Sequence, residues 1–219
     1  MLIDDLFFPE LQRREQYSIK SNGEYYADYS VYREEIREDC LGRCVYCDVH
    51  ENGGAETMQL DHFRPKAHEE HSHLVNDPKN LVWSCPGCNR LKSNTWPALG
   101  TEETCLDEEG FIDAFEENRN DYFLILEDGR LDPMKPPAQY MISLLALNRQ
   151  SRKRCRELRW LKRRLLNEVN QQIDEFHELR EDIAQRVEDQ DILDHLEAHE
   201  RKLTNIGKSL LTLLDFALR

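Results

Sequence analysis

No stretch of this sequence approaches the roughly 18 uncharged apolar residues that a bilayer-spanning helix needs, so no membrane partner is expected. An excess of positive charge is also missing: 29 Lys and Arg stand against 43 Asp and Glu, a net charge of −14. A chain that holds a polyphosphate backbone by charge alone shows the opposite balance. Cations must therefore be concentrated locally, or a partner must share in holding any nucleic acid. The start, Met1-Leu2-Ile3-Asp4-Asp5, lacks the basic region and long apolar run of a secretory signal, and the expectation is a cytoplasmic protein. There is no repeat of fixed period and no low-complexity tract. A mean hydropathy of −0.76 with 33% charged residues points to much exposed helix rather than one large globule. The 219 residues suffice for one domain with extensions, or for two small ones.

Cysteine is what the chain does have, and in a pattern. Of seven cysteines, four form two pairs, Cys44-x2-Cys47 and Cys85-x2-Cys88. In a reducing compartment that pattern favours a metal over disulfides. Four thiolates match the closed tetrahedral shell of a structural Zn2+, and each two-residue spacer lets two sulfurs face one ion. The plainer alternative, four ordinary buried or redox cysteines, fits two such pairs around one insertion poorly. Cys40 and His50 are near enough to compete as ligands, but Cys40 shares an apolar helical face with Tyr32 and Ile36, so packing is expected there. Cys105 and Cys155 have no paired neighbour.

Along the chain, apolar spacing predicts a helix from Ser30 to Leu41, ended by Gly42. The Asn52-Gly53-Gly54 loop follows. Short strands are expected at Thr57–Asp61 and Asn80–Ser84, separated by a polar loop, His68 to Lys79. A short helix, Asn89–Asn94, stops before Pro97. Glu102 to Asp132 is acidic, with a strand at Tyr122–Leu126 and a turn at Glu127-Asp128-Gly129-Arg130. Beyond Pro136-Pro137 the composition is helical: Ala138–Leu147, a long helix from Gln150 to Val187, then one or two shorter ones to Phe216. The fold class is α+β. The expected division is an N-terminal helical or irregular region, 1–42, a zinc-containing core with its acidic extension, 43–135, and a helical region, 136–219.

The run Leu60-Asp61-His62-Phe63-Arg64-Pro65-Lys66, followed by Asn80-Leu81-Val82-Trp83-Ser84-Cys85-Pro86-Gly87-Cys88-Asn89-Arg90-Leu91-Lys92-Ser93-Asn94, resembles the HNH endonuclease family over about Arg43 to Asn94. The resemblance implies a ββα-metal unit in which two strands and a helix grip one divalent ion. It implies His62 as general base, Asp61 as metal ligand and Asn80 as the residue bracing the site. Asn89 stands at a position often held by histidine, so its amide oxygen would ligate the metal. The chemistry suits these types: an imidazole near neutral pKa takes a proton from water. Mg2+ or Mn2+ held by oxygen ligands relieves charge on the phosphate and leaving oxygen. Arg64, Lys66, Arg90 and Lys92 are candidate phosphate contacts, with solvated charge as the default for each. A second metal among His68, His71 and His73 lacks a rigid scaffold, and a mobile polar loop is the expectation.

Downstream, Arg152-Lys153-Arg154, Arg156, Arg159 and Lys162-Arg163-Arg164 form the one dense basic run, with Leu158, Leu161 and Leu165 as an apolar strip. A nucleic-acid-contacting helix and a solvated helix balancing the acidic segment are equally good readings. The apolar run Leu210-Leu211-Thr212-Leu213-Leu214-Asp215-Phe216 suits internal packing or docking. Together with the Leu60–Lys66 run, Leu131-Asp132-Pro133 and Leu144-Leu145-Ala146-Leu147-Asn148-Arg149 look like the HNH subunits of Septu-type and retron-linked anti-phage systems. That resemblance implies DNA as substrate, an ABC-type ATPase subunit as partner, and a retron reverse transcriptase with its RNA/DNA product as a further one. The rival readings are a stand-alone restriction-type nuclease and a non-catalytic zinc-dependent nucleic-acid-binding module. The intact Asp61, His62, Asn80 and Asn89 argue against the second.

Overall fold

A computed structural model describes residues 7–53, 57–186 and 190–217, without the side chains at 211 and 213–217. Met1–Asp5, Gly54, Val187 and the side chains of Leu211 and Leu213–Phe216, all read above, lie outside the described residues. The chain forms two compact units, Met1–Glu157 and Leu158–Arg219. The division falls at 157/158, whereas composition suggests 135/136.

In the first unit, Tyr32, Ile36 and Cys40 recur every fourth residue, and each is fully buried. That stripe makes a 3-10 turn, Tyr29–Tyr32, and helix α1, Arg33–Asp39, pack down on one side. The Asp28 carboxylate caps the turn by accepting from the Ser30 N–H. Gly42, at φ +64, ends the helix by returning its N–H to the Arg37 carbonyl at 2.8 Å. Strands β1 (Gln59–His62) and β2 (Leu81–Ser84) pair antiparallel with Leu60 opposite Trp83 and His62 opposite Leu81. All four β2 residues are buried, which is why its sequence is an unbroken apolar run closed by serine. Helix α2 (Pro86–Lys92) begins three residues earlier than the sequence suggests. Cys85 is its N-cap, the Sγ accepting from the Cys88 N–H at 3.4 Å, and Pro86 occupies the first turn, where no donor is missed.

The acidic segment that follows has twelve acidic residues against two basic ones between 102 and 132, yet it is part of the same core. It forms two small antiparallel ribbons, β3 (Cys105–Leu106) with β4 (Glu109–Gly110), and β5 (Phe123–Ile125) with β6 (Leu131–Pro133). Phe111 is completely buried, stacked on Trp96 at 5.8 Å and edge-on to Tyr46 at 6.2 Å; Trp96 in turn meets Phe63 at 5.3 Å. Arg119 is 2% exposed and donates to the carbonyls of Val45 (3.0 Å) and Pro9 (2.8 Å). One interior cation thus holds the N-terminal segment, the first cysteine pair and the acidic extension together.

Helix α3 (Ala138–Leu144) packs against β4 and β6 and leads into helix α4 (Gln150–Arg186). The β5–β6 turn lies directly on the start of α4. Gly129 there has φ +74, and a Cβ would come within 2.1 Å of the Lys153 carbonyl oxygen, so only glycine fits.

The second unit is a helical hairpin of the rest of α4 with α5 (Gln190–Ala217). Its pairing is antiparallel: Gly207 faces Val169 and Ile173, while Glu200 binds His177 and Arg180. A single helix thus fills the span to Phe216. No described helix is long and apolar enough to cross a membrane.

Candidate active site and four-cysteine cluster

The loop after α1 turns back through Cys44 N–H to the Val49 carbonyl and Asp48 N–H to the Cys44 carbonyl, both 2.9 Å. Val45 N–H reaches the Trp83 carbonyl at 3.0 Å, which hangs this knuckle on β2. Cys44 and Cys47 thereby face Cys85 and Cys88 at the start of α2. All four are buried, and their sulfurs lie within 4.8 Å of one another, Cys47 and Cys85 at 3.7 Å. A tetrahedron with metal–sulfur bonds of about 2.3 Å has edges of about 3.8 Å, so the donor set fits a tetrahedral ion. Among the described residues this is the one grouping of three or more His, Cys, Asp and Glu side chains placed to hold a metal. Cys40 packs in the core and His50 stands outside the group, its Nδ1 accepting from the Asn52 N–H. No such grouping forms at His68, His71 and His73.

Two guanidiniums close over the sulfurs. Arg149 Nη2 donates toward Cys85 Sγ (3.5 Å) and Cys88 Sγ (3.6 Å), and Arg152 Nη2 toward Cys85 Sγ (3.2 Å). Arg152 and Arg156, both from the basic run, are buried, Arg156 donating to the carbonyls of Gly129 and Leu147. At those positions the run serves the interior rather than a phosphate surface.

An open cleft of about 650 Å³ lies between β1 and α2, lined by Asp61, His62, Lys66, Asn89, Arg90 and Tyr29 among others. Asp61 and His62 close β1. Asp61 Oδ2 accepts from Tyr46 OH at 2.8 Å and has Lys92 Nζ at 3.6 Å, so both donors fall on one oxygen. Burial raises the Asp61 pKa above the ordinary carboxylate value, opposed by Lys92 and Tyr46. His62 Nε2 lies 2.9 Å from the Val75 carbonyl. A carbonyl only accepts, so the neutral ring carries its proton on Nε2 and presents Nδ1 as its basic nitrogen. Burial lowers the His62 pKa below the ordinary imidazole value; Lys66 acts the same way and the Val75 carbonyl opposes them. The ring also meets Tyr29 edge-on at 4.8 Å. Asn89 donates through Nδ2 to Gln59 Oε1 at 3.0 Å, which leaves its amide oxygen as the acceptor.

Asn80 does not line the cleft. It stands behind it, accepting from the Arg64 N–H (2.9 Å) and donating to the Arg64 carbonyl (3.0 Å), and so closes the neck of the loop that carries Val75. That loop is not a free polar excursion. It contains 3-10 turns at Glu69–Leu74 and Pro78–Asn80, and His71 is buried against Trp96 with Nδ1 on the Pro65 carbonyl.

The four candidate phosphate contacts separate. Lys66 and Arg90 are exposed at the cleft. Arg64 turns away, its guanidinium 5.0 Å over Trp96 and bonded to the Glu102 carbonyl. Lys92 corrects the sequence expectation: it is fully buried, donating to the His62 carbonyl at 2.9 Å beside Asp61, and is out of a phosphate's reach. Burial lowers its pKa, and Asp61 opposes that. Sequence reasoning missed Tyr29, Tyr46 and the two arginines over the cluster. Tyr46 had a signal, its place between Cys44 and Cys47, whereas Tyr29 lies far from every motif.

Residues 44–95 match the family model of the HNH endonucleases. No curated protein and no solved structure matches the chain. The α+β chain therefore carries an HNH domain with a four-cysteine cluster, followed by a long helical region, which supports a nuclease or nucleic-acid-binding role.

Proposed function

We propose that the chain is a metal-dependent endonuclease that hydrolyses DNA phosphodiester bonds in the cleft between β1 and α2, with Zn2+ in the four-cysteine cluster. The observation that carries this reading is the meeting, in one open cleft, of a histidine held by Nε2, leaving Nδ1 as its basic nitrogen, and two oxygen donors, Asp61 and Asn89. Asp61 Oδ1 and the Asn89 amide oxygen are the donors that would hold Mg2+ or Mn2+; Oδ2 is already committed to Tyr46 and Lys92. Such an ion, when bound, supplies positive charge for the phosphate and for the leaving oxygen. His62 Nδ1 takes the proton from the attacking water, while the Val75 carbonyl keeps Nε2–H in place as the ring becomes charged. Lys66 and Arg90 engage the strand at the lip of the cleft. Asn80 acts at one remove, by holding the loop that holds His62.

Plasmid nicking by the full chain with Mg2+ or Mn2+ tests this. Wild-type protein should nick, and His62→Ala should not while keeping its metal content; equal nicking by both would sink the reading.

We further propose that a partner shares in holding the DNA, within an anti-phage complex of the Septu or retron-linked kind, where that partner is an ABC-type ATPase. Two features support a shared grip: the net charge of −14, and the interior placement of Lys92, Arg119, Arg152 and Arg156, which takes four cations away from any phosphate surface. Affinity purification of the tagged chain from its native host should recover an ATPase in fixed ratio. A chain that is recovered alone and binds duplex DNA tightly would contradict it.

A further inference from the structure

We propose that Arg149 and Arg152 are built-in counter-charges of the four-cysteine cluster, positioned to offset its buried negative charge and make its ion slow to leave. This rests on the reading of that cluster as a site for a divalent metal.

Four thiolates around a divalent ion leave two negative charges, and a buried charge needs compensation. Two guanidiniums supply it. Both reach Cys85 Sγ, Arg149 at 3.5 Å and Arg152 at 3.2 Å, Arg149 also reaches Cys88 Sγ at 3.6 Å, and Arg152 is only 6% exposed. Facing four neutral thiols, the same two cations would be buried against groups that offer them little. The arrangement therefore favours the metal-bound tetrathiolate over the empty dithiol pairs.

Two motifs that the cleft leaves unexplained belong to this device. Asn148 takes hold of Leu131 by both of its backbone polar groups, accepting from its N–H at 2.8 Å and donating to its carbonyl at 2.9 Å. Arg156 binds the Leu147 carbonyl at 2.7 Å from the next turn of α4. Between them the bend from α3 to α4 is fixed, with Ala146 at φ +45, and Arg149 leaves it to point at the sulfurs. Arg149 Nη1 is held in turn by the carbonyls of Leu145 and Ala146. Gly87 completes the fit from the other side: a Cβ there would stand 3.2 Å from Arg149 Nη2, in its path to the cluster. The Leu131-Asp132-Pro133 and Leu144–Arg149 motifs are thus one clamp that aims a cation at a metal site about sixty residues away in sequence.

The test uses the full chain loaded with Zn2+ or Co2+. It reads the rate of ion loss to excess chelator and the sulfur-to-cobalt charge-transfer band. In Arg149→Met/Arg152→Met, ion loss should accelerate by about tenfold or more, and the cobalt band should move to lower energy as the N–H donors to sulfur disappear. Arg149→Lys/Arg152→Lys keeps both charges and should recover much of the wild-type retention, while Arg152→Gln keeps a donor without charge and should not. A folded methionine double variant with wild-type ion loss and an unmoved band overturns the proposal. Should that variant fail to fold, the glutamine and lysine variants decide: wild-type retention in Arg152→Gln overturns it equally. Wild-type protein that takes up neither ion removes the metal reading and this inference together, whereas uptake with variant-independent release removes only this one.

Discussion

Asn80 grips Arg64 by both its backbone N–H and its carbonyl, at 2.9 and 3.0 Å, and adds a longer bond to the Leu74 carbonyl at 3.4 Å. Because the gripped loop also carries Val75, the clamp reaches the His62 ring without touching it. Asn80→Ala should cost about 1–3 kcal/mol, the desolvation penalty of orphaned backbone groups. It should also slow cleavage by loosening the Val75 carbonyl. Urea unfolding and single-turnover rates check both, and an unchanged unfolding midpoint would show that the loop closes by other means.

His62→Ala should lower cleavage by about 10²–10⁴, the usual worth of a positioned general base, and added imidazole should restore part of it. The pH profile follows from the same ring. Its pKa in the folded chain is below the ordinary value, so the base form is already dominant near neutrality. Rates at saturating metal should rise with pH, reach half their maximum below about 6.5, and stay flat beyond. The stability sign agrees. The unfolded chain takes up the proton first as pH falls, so this stabilising contribution is complete above about 6.5 and lost below it. A half-maximal point above pH 7 would exclude His62 as the titrating base.

Cys85 has three places at once: member of the four-cysteine cluster, N-cap of α2 and acceptor for Arg152. Cys85→Ser should lose the ion and, with it, a folding contribution on the order of 10 kcal/mol. Elemental analysis and far-UV circular dichroism read the two losses. Full metal occupancy in this variant would place the ion elsewhere.

Lys92→Met should destabilise the chain by about 3 kcal/mol, because it strips a buried partner from Asp61. It should not change how DNA binding responds to salt. Lys66→Ala and Arg90→Ala should do the reverse, reducing the salt slope by about one each with little effect on stability. Salt titrations of binding, run in whatever assembly is competent, separate the two classes; a reduced slope for Lys92→Met would return that residue to the surface.

Much of the architecture is legible in the sequence because its signals are local. The Tyr32, Ile36, Cys40 spacing gives the buried face of α1, the paired cysteines give the cluster, and the apolar Leu81-Val82-Trp83 gives the central strand. The start of α2 is not legible because a cysteine is an uncommon N-cap, and only its position at the cluster makes it one. Buried cations are the least legible feature. Lysine and arginine are solvated by default, and nothing near Lys92, Arg119 or Arg152 in sequence announces a partner, since the atoms they meet lie 30 to 74 residues away. Tyr29 was invisible for the same reason, since what brings it to His62 is the anchoring of Tyr32 in the core.

The Phe63–Trp96 contact and the Arg119 bridge both cross the limits of the 44–95 segment. Cut out alone, that segment would leave Phe63 and His71 without the Trp96 indole they pack on, and a Val45 carbonyl stripped of its cation. It would also lose the guanidiniums over its sulfurs. It is therefore not a portable cassette. A graft meant to carry the cleft into another protein has to bring both flanks with it, from about Phe7 to Glu157.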